Sequence, residues 1–329
     1  MLDLLPRWTE PSCCTVSLGT MPRIAFISTD PDFIGHDDSD LEPLTSAVQT
    51  LGLEVAVPSW RDASVDWSEF DLAVMRSPWD YAGALPEFLV WLDRVSGQTR
   101  ILNTPEVIRW NLDKRYLGEL EARGVAIVES HFCDTVGEAE SALARIDSAR
   151  IVVKPTVSAG SRDTGLFERS DERALRLAEH ILSLDKTVMV QPAIDSVARV
   201  GEQAFVYFDG RFSHALTKGP ILDLGGQLLG GVYREQISAA EATPEQRALA
   251  ESAMTVMTAL FRERGIAEED VVPLYARLDM VQTESGPALL EAELFEPSYF
   301  VHTAAASEHR FASALLAHLV GKPAATPAV

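Results

Sequence analysis

Ionisable side chains recur at every second position in two neighbouring segments near the end of this 329-residue chain. Arg277 and Asp279 alternate with apolar residues in the first segment, and Glu291 and Glu293 do so in the second. Residues 283–286, Thr-Glu-Ser-Gly, have the composition of a turn, so the pattern predicts a β-hairpin. Because successive strand side chains point to opposite faces, one arginine and three carboxylates should share one face of that hairpin.

Carboxylates crowded on one face repel one another unless a cation lies among them. Mg²⁺ is the usual cation for such a site, since it takes oxygen ligands from one or two carboxylates and completes its coordination with water and phosphate oxygens. Asp279, Glu291 and Glu293 are therefore predicted metal ligands. The alternative is an ordinary solvated strand face on an acidic protein.

A lysine and a loop of small residues follow another predicted strand. Lys154 ends an apolar run, and Pro155 stops further strand pairing. In the following loop, residues 156–165, small side chains would let backbone N–H groups approach phosphate oxygens. The loop matches neither the P-loop nor the Gly-x-Gly-x-x-Gly pattern, so taken alone it also fits an ordinary surface loop. Its candidate contact residues are Ser158, Gly160 and Ser161.

The next predicted strand ends in a Gln-Pro pair, where the proline exposes backbone groups of its neighbours that could read the edge of an adenine ring. The residues of this predicted hinge are Gln191, Pro192, Ala193 and Ile194. Glu202 follows and could hold ribose hydroxyls. Lys218 ends a further predicted strand, and Lys114 lies in a predicted helix. Each lysine taken singly is most simply a solvated charge.

The order of these groups is more informative than any one of them. A lysine, a Lys-Pro pair with its loop, a Gln-Pro pair, a glutamate, a lysine, Arg-x-Asp and Glu-x-Glu follow one another. Over residues 114–298 this series resembles the ATP-grasp superfamily of carboxylate–amine ligases, most specifically in Arg-x-Asp and Glu-x-Glu with Pro297 and Ser298 beyond. The resemblance implies an α/β, three-domain architecture that binds ATP and two Mg²⁺ ions. ATP would convert a carboxylate to an acyl phosphate, and an amine would then displace phosphate.

The resemblance also implies a role for each candidate residue. The catalytic residues, acting on the transferring phosphoryl group, would be Arg277, Lys218 and Ser161. The nucleotide-binding residues would be Lys114, Lys154, Gly160, Ser161, Gln191, Pro192, Ala193, Ile194, Glu202 and Lys218. The metal ligands would be Asp279, Glu291 and Glu293. Glu293 departs from the superfamily, which often has asparagine there, and makes the site more anionic.

Two loops of the N-terminal part follow predicted strands, and open α/β sheets bind ligands at such strand ends. One loop contains Asp30 with Asp37, Asp38 and Asp40, and the other contains Arg76 and Trp79. Arginine can bind a carboxylate through two hydrogen bonds, and nearby acidic groups can receive an ammonium group. An amino-acid-like substrate is therefore predicted. The full set of substrate candidates is Arg76, Trp79, Asp30, Ser158 and Ser298. Alternatively, Trp79 and Tyr81 merely pack against a neighbouring domain.

These loops, of sequence STDPDF and RSPWDY, together with NLDKRYL at residues 111–117, resemble a narrow branch of the superfamily, the cyclo-ligases that act on O-ureido-D-serine. The resemblance implies intramolecular cyclisation to D-cycloserine in antibiotic biosynthesis. Two other functions stay open. One is an intermolecular ligase of the glutathione-synthetase or amino-acid-ligase kind. The other is a regulatory protein that binds a nucleotide without turnover.

Strands that alternate with helices predict a parallel, Rossmann-like sheet in the N-terminal part. The predicted division is a flexible tail (1–20), an N-terminal α/β substrate domain (21–116), a central ATP-grasp domain (117–195), a C-terminal ATP-grasp domain with the metal site (196–321) and a loose tail (322–329). The predicted strands are 23–29, 53–57, 72–75, 126–129, 151–154, 188–191, 202–208, 212–217 and 230–235. The predicted helices are 41–51, 86–95, 106–123, 136–146, 172–184, 244–265 and 304–319.

Composition argues against several classes of partner. With 49 acidic and 28 basic residues, the net charge of −21 opposes binding to nucleic acid or to an anionic membrane. The chain has no apolar run of about 18 residues, the length needed to span a bilayer. The three cysteines, two of them adjacent, do not form a disulfide framework, and the first twenty residues lack a basic signal-peptide start. A cytoplasmic location is expected, and the oligomeric state is not predicted.

Overall fold

Three β-sheets organise the described part of the chain. A computed structural model describes residues 21–320 apart from 31, 34–37, 221, 223, 225–226 and 229–235. The strands are β1 Arg23–Ser28, β2 Glu54–Ala56, β3 Leu72–Ser77, β4 Ile101–Leu102, β5 His131–Cys133, β6 Arg150–Pro155, β7 Thr164–Glu168, β8 Val188–Pro192, β9 Glu202–Phe208, β10 Arg211–Lys218, β11 Gln227–Leu228, β12 Ile237–Ala240, β13 Tyr275–Thr283 and β14 Gly286–Glu293. The helices are α1 Leu41–Gln49, α2 Leu85–Ser96, α3 Pro105–Leu112, α4 Tyr116–Glu121, α5 Val136–Arg145, α6 Arg173–Ser183, α7 Asp195–Val200, α8 Pro244–Glu263 and α9 Ser307–Val320.

The N-terminal sheet is parallel, in the order β2-β1-β3-β4. Its central strands β1 and β3 are apolar on both faces, as expected for strands covered on both sides. On one face Phe26 and Val74 share a core with Phe311 and Leu315 of α9, the last helix. The C-terminal end of the chain therefore closes over the N-terminal sheet.

A small antiparallel sheet, in the order β11-β7-β6-β8-β5, follows in the middle of the chain. Along β6, Ile151 and Val153 are buried in a core with residues of α5 and α6. The alternate residues Val152 and Lys154 face the opposite way and line a cavity. Helices on one face thus leave the other face available for a ligand.

The third sheet is antiparallel, in the order β12-β10-β9-β13-β14, and α8 packs on one of its faces. The predicted hairpin is confirmed, because β13 pairs with β14 so that Arg277 faces Glu293 and Asp279 faces Glu291. A bulge follows, since Met280 pairs with Leu289 and leaves Leu290 as an extra residue. Leu290 consequently lines the cavity, although strict alternation places it on the apolar face.

Two predicted elements differ from the structure. The predicted helix 106–123 is broken at Asp113, whose backbone is extended (φ −105°, ψ 117°). This break lets the backbone N–H of Lys114 donate to the carbonyl of Thr156 at 3.1 Å. The predicted strand 126–129 forms only one bridge, between Ile127 and Leu289, because this segment lies beside β14 and not in the small sheet.

Other elements had no clear sequence signal. These are the strands β4, β5, β7, β11 and β12 and the helix α7, which are short or interrupted by glycine and small residues. The predicted strand 230–235 lies outside the described residues. Within the described ranges, every helix is too short or too polar to span a bilayer.

Candidate functional site

A cavity of about 1070 Å³ lies between the small sheet and the C-terminal sheet and extends to the loops of the N-terminal sheet. Its volume is at the upper end of the range for ligand sites in proteins, roughly 300–1,000 Å³, so it can hold more than one small molecule. All the predicted nucleotide-binding residues line it: Lys114, Lys154, Gly160, Ser161, Gln191, Pro192, Ala193, Ile194, Glu202 and Lys218. Arg277, Glu291, Glu293, Trp79, Ser158 and Ser298 also line it. Their individual roles stay predictions.

Two lysines of the cavity are bound to predicted metal ligands. Lys114 Nζ lies 2.9 Å from Glu291, and Lys218 Nζ lies 2.8 Å from Asp279 and 3.4 Å from Glu202. Burial opposes ionisation of Glu291, but Lys114 and Lys154 outweigh it and lower the pKa of the carboxyl. Burial likewise disfavours charged Lys114, yet Glu291 keeps its pKa above the usual value.

Arg277 links the two strands of the hairpin. Its guanidinium donates two hydrogen bonds of 2.9 Å to Asp279 and a further one to Glu293. A fourth goes to the carbonyl of Ser298 at 3.0 Å. Burial opposes ionisation of Asp279, but Arg277 and Lys218 outweigh it and hold the pKa of that carboxyl well below its usual range. Asp279 is 1% exposed, so it lies beneath the cavity surface.

Lys154 differs from these cations, because it forms no hydrogen bond or salt bridge with any residue in the described ranges. Burial lowers its pKa, and the positive charges of Lys114 and Lys218 lower it further against the pull of Glu291. The ammonium groups of Lys114, Lys154 and Lys218 thus belong to one cavity, and within the described ranges only Lys114 and Lys218 contact a carboxylate. Such an arrangement favours an anionic ligand.

The donor set of the hairpin fits Mg²⁺, since it consists of hard carboxylate oxygens. Burial above all, with the negative charges of Asp279 and Glu291, raises the pKa of Glu293 to about 8 despite Arg277, so ionisation of all three carboxyls together is opposed unless a cation joins them. Among the described residues, however, no three acidic, histidine or cysteine side chains already stand in metal-holding geometry. The carboxylates contact ammonium and guanidinium groups instead. The metal assignment is kept as a proposal.

The predicted adenine hinge borders an apolar wall. Ile194 and Val197 pack with Val281 and Leu290, and all four line the cavity. Gln191 donates through Nε2 to Ser130 Oγ at 2.9 Å, so its side chain is already engaged. The N–H of Ala193 likewise donates to the carbonyl of Arg150. The apolar wall is suited to a planar base, whereas the N–H of Ala193 and the side-chain amide of Gln191 are already hydrogen-bonded within the protein.

The loop after β6 has an uncommon backbone conformation. Gly160 and Ser161 both have positive φ, 60° and 53°, in the left-handed region that residues with a side chain seldom adopt. Ser161, with Ser158, lines the cavity. Sparsely populated backbone conformations cluster at ligand-binding sites, which agrees with a phosphate-contacting loop.

The structure does not bring every substrate candidate to the cavity. Arg76 is fully buried; its guanidinium donates to Asp38 at 3.1 and 3.2 Å and to the carbonyl of Pro297 at 3.2 Å. Burial disfavours the charge of Arg76, but Asp38 above all raises its pKa above the usual value. Asp30 does not line the cavity either; it accepts the N–H of Asp32. The predicted contact of Arg76 with a substrate carboxylate therefore has no support in this geometry.

Some residues around the site were not predicted to act there. Asn111 donates to the carbonyl of Ala292 at 2.7 Å and accepts the N–H of Leu294, so it fixes the end of β14. Tyr81 and Glu296 line the cavity and hydrogen-bond to each other. Burial raises the pKa of Glu296 to about 7. The only signal for Glu296 was its nearness to the Glu-x-Glu pattern, and Asn111 had no periodic signal.

Comparisons with known proteins agree with this geometry. The family model described as "D-cycloserine synthetase DcsG, N-terminal domain" matches residues 24–103. The cycloserine biosynthesis protein DcsG of Streptomyces lavendulae is 36% identical over 291 residues, which cover 86% of this chain and 94% of that protein.

Solved structures give the same result for the fold. A crystal structure of D-cycloserine synthetase DcsG is 34% identical, with a TM-score of 0.81, and the match covers 90% of this chain and 99% of that one. A RimK domain ATP-grasp protein from Sphaerobacter thermophilus shares the fold at 18% identity, with a TM-score of 0.60 over 91% of this chain and 100% of that one. The predicted ATP-grasp fold is thereby confirmed. This chain belongs to the DcsG family of ATP-grasp enzymes and is an ATP-dependent ligase.

Proposed function

We propose that this chain is an Mg²⁺-dependent cyclo-ligase that converts O-ureido-D-serine to D-cycloserine in antibiotic biosynthesis. The observation that carries the proposal is the continuity of one cavity from Lys154 and the hairpin carboxylates to Trp79 and Ser298. A nucleotide and a small amino acid can therefore occupy adjoining parts of the same space. The similarity of residues 24–103 to the N-terminal domain of D-cycloserine synthetase supports this substrate, because selectivity is expected in that part.

The residues of the cavity are suited to phosphoryl transfer, which requires positioning and charge neutralisation more than covalent assistance. Lys114, Lys154 and Lys218 would bind the phosphates of ATP, and Arg277 would hold the hairpin carboxylates in place. When bound to Asp279, Glu291 and Glu293, Mg²⁺ would neutralise phosphate charge. Lys154 is already without a carboxylate contact in the described chain, so it can meet a phosphate without first breaking an ion pair.

The proposed reaction has three steps. A carboxylate oxygen of O-ureido-D-serine attacks the γ-phosphorus and ADP leaves. The ureido nitrogen bonded to oxygen then attacks the acyl carbon, a C–N bond forms, that nitrogen loses its proton and phosphate leaves. Hydrolysis of the carbamoyl group yields CO₂ and ammonia. Because the nucleophile and the activated carbonyl belong to one molecule, ring closure benefits from intramolecular proximity.

Release of ADP tests this function against the alternatives. The enzyme is given ATP and Mg²⁺ with O-ureido-D-serine alone, then with free amino acids in pairs, and products are identified by mass spectrometry. ADP and D-cycloserine from the single compound support cyclisation. ADP only with pairs supports an intermolecular ligase, and ATP binding without ADP from any acceptor supports a nucleotide-binding protein without turnover.

A further inference from the structure

Glu296 is a carboxylate of the cavity that the predicted nucleotide and metal sites do not use. It lies three residues after Glu293 and lines the same space. Within the described part of the chain it forms no salt bridge, whereas Asp279, Glu291 and Glu293 each contact a lysine or an arginine. Glu296 therefore presents an acidic group to the cavity without a protein cation in contact with it.

Two aromatic residues of the N-terminal part fix Glu296. The hydroxyl of Tyr81 donates to its carboxylate, and Trp79 donates through Nε1 to its backbone carbonyl at 3.0 Å. The ring of Tyr81 packs edge-on against Phe295, with centroids 4.8 Å apart. Tyr81 is 2% exposed, so its ring is enclosed, and its hydroxyl holds the carboxylate at the border between the N-terminal loop and the hairpin.

The position of Glu296 matches the shape of an α-amino acid. The amino nitrogen of such a molecule lies only about 2.5 Å from the carboxyl carbon, given standard bond lengths and angles. A group that binds the ammonium must therefore lie beside the place where the carboxylate is phosphorylated. Glu296 lines the same cavity as Lys114 and Glu291, which are proposed to bind the phosphates and Mg²⁺, and it interacts electrostatically with both.

The acidic residues first expected to receive an ammonium group are engaged elsewhere. Asp38 binds Arg76, and Asp40 accepts three backbone N–H groups. Asp30 does not line the cavity, and Asp37 lies outside the described residues. Among these carboxylates, Glu296 is therefore the one that is placed to bind an ammonium group in the cavity.

We propose that Glu296 binds the α-ammonium group of the amino-acid substrate and so selects molecules with a free α-amino group. This inference rests on the proposed function, since it takes the activated carboxylate to be that of an α-amino acid. Tyr81 is a positioning residue that orients the Glu296 carboxylate.

A thermodynamic cycle between enzyme and ligand tests the inference. Wild type and Glu296→Gln, loaded with Mg²⁺ and a non-hydrolysable ATP analogue, are titrated calorimetrically with O-ureido-D-serine and with the analogue that has hydrogen in place of the α-amino group. Loss of the amino group should weaken binding to the wild type by about 10- to 100-fold, the effect of one charged hydrogen bond. Glu296→Gln should weaken the binding of O-ureido-D-serine by a similar factor. It should leave the binding of the analogue almost unchanged from that of the wild type. Binding of the nucleotide analogue alone should not change.

Tyr81→Phe is the matched variant, because it keeps the carboxylate and removes the hydroxyl that orients it. It should retain part of the discrimination between the two compounds. Equal binding of both compounds by the wild type, or undiminished discrimination by Glu296→Gln, would overturn the inference. Failure of the proposed function has a different signature, namely no ADP from O-ureido-D-serine with the wild-type enzyme while the α-amino group still strengthens binding.

Discussion

The carboxylate of Asp40 accepts a hydrogen bond from the backbone N–H of Tyr299 at 2.5 Å, although 259 positions separate the two residues. The same carboxylate accepts the N–H groups of Phe300 and Val301 at 2.9 and 2.8 Å. Phe300 has a left-handed backbone, with φ of 52°. Asp40, which precedes α1, thus fixes the backbone of residues 299–301. This segment follows the charged hairpin and Glu296.

Asp40→Asn should destabilise the protein by about 3 kcal/mol, the usual loss when one partner of a buried charged cluster is removed. An amide retains only one acceptor oxygen for three N–H groups, and Arg76, 3.8 Å from Asp40, loses a counter-charge. Urea denaturation measures the change. Glu42→Gln, an exposed carboxyl in α1, is the control and should stay within about 0.5 kcal/mol of wild type. Similar losses in both variants would contradict the role of Asp40.

Replacement of Lys154 and of Lys114 by methionine should change the stability of the unliganded protein in opposite directions, although both lysines line the cavity. Lys154 forms no ion pair in the described chain, so Lys154→Met removes a charge that burial disfavours and should stabilise the unliganded protein. Lys114→Met leaves Glu291 without its 2.9 Å partner and should destabilise it by about 2 kcal/mol. Both variants should bind ATP about tenfold more weakly or worse, because each loses a cation.

Thermal unfolding of the two lysine variants with and without ATP measures these effects. Burial lowers the pKa of Lys154 from 10.5, so the unfolded chain binds more protons than the folded one as pH approaches that value. Stability of the wild type should therefore rise relative to Lys154→Met as pH increases towards 10.5. A destabilised Lys154→Met protein at neutral pH would show that this lysine has a structural partner.

Local periodicity predicted part of the site and tertiary contacts determined the rest. The alternation that placed Arg277, Asp279, Glu291 and Glu293 on one face depends only on strand geometry, and the pairing of β13 with β14 confirms it. The bulge at Leu290 could not be predicted, because the alternation of side chains along one strand does not reveal how that strand pairs with its neighbour.

The substrate side of the cavity was harder to predict. Arg76 stands at the end of β3, where ligands commonly bind, but Asp38 and Tyr299 enclose it through contacts distant in sequence. Glu296 follows β14 in a segment without periodicity. Its importance emerges only when Trp79 and Tyr81, more than 200 positions earlier, are seen to hold it.

Glu291→Gln should reduce kcat by about 100-fold or more and raise the Mg²⁺ concentration needed for half-maximal activity, because it removes one anionic ligand. The fold should persist, since the amide has the same shape and Glu291 lies at the cavity surface. ADP release measured against Mg²⁺ concentration checks this. Glu284→Gln, at the exposed turn of the same hairpin, is the control and should behave like wild type. An unchanged Mg²⁺ requirement in Glu291→Gln would contradict the metal role.

His214 gives the protein a specific sensitivity to acid. The side chain is 5% exposed; Nε2 donates to the carbonyl of Tyr299 at 2.8 Å, and Ser213 Oγ donates to Nδ1 at 2.9 Å. Arg310 in turn donates to Ser213 Oγ. Burial above all, with the charge of Arg310, lowers the pKa of His214 to about 4 from 6.5, against the effect of the Tyr299 carbonyl. The imidazole is therefore neutral in the folded protein at neutral pH.

Folding should become less favourable as pH falls from 6.5 towards 4, because the unfolded chain protonates this histidine and the folded chain does not. The loss attributable to His214 is on the order of 3 kcal/mol over that interval. His214→Gln keeps a donor for Tyr299 and an acceptor for Ser213 but does not titrate, so its stability should fall less steeply. Urea denaturation at about pH 7, 6, 5 and 4.5 measures this effect. His309→Gln, which replaces an exposed histidine of α9, is the control that separates it from general acid unfolding. A pH slope of His214→Gln that matches those of wild type and His309→Gln would show that protonation of His214 does not destabilise the fold.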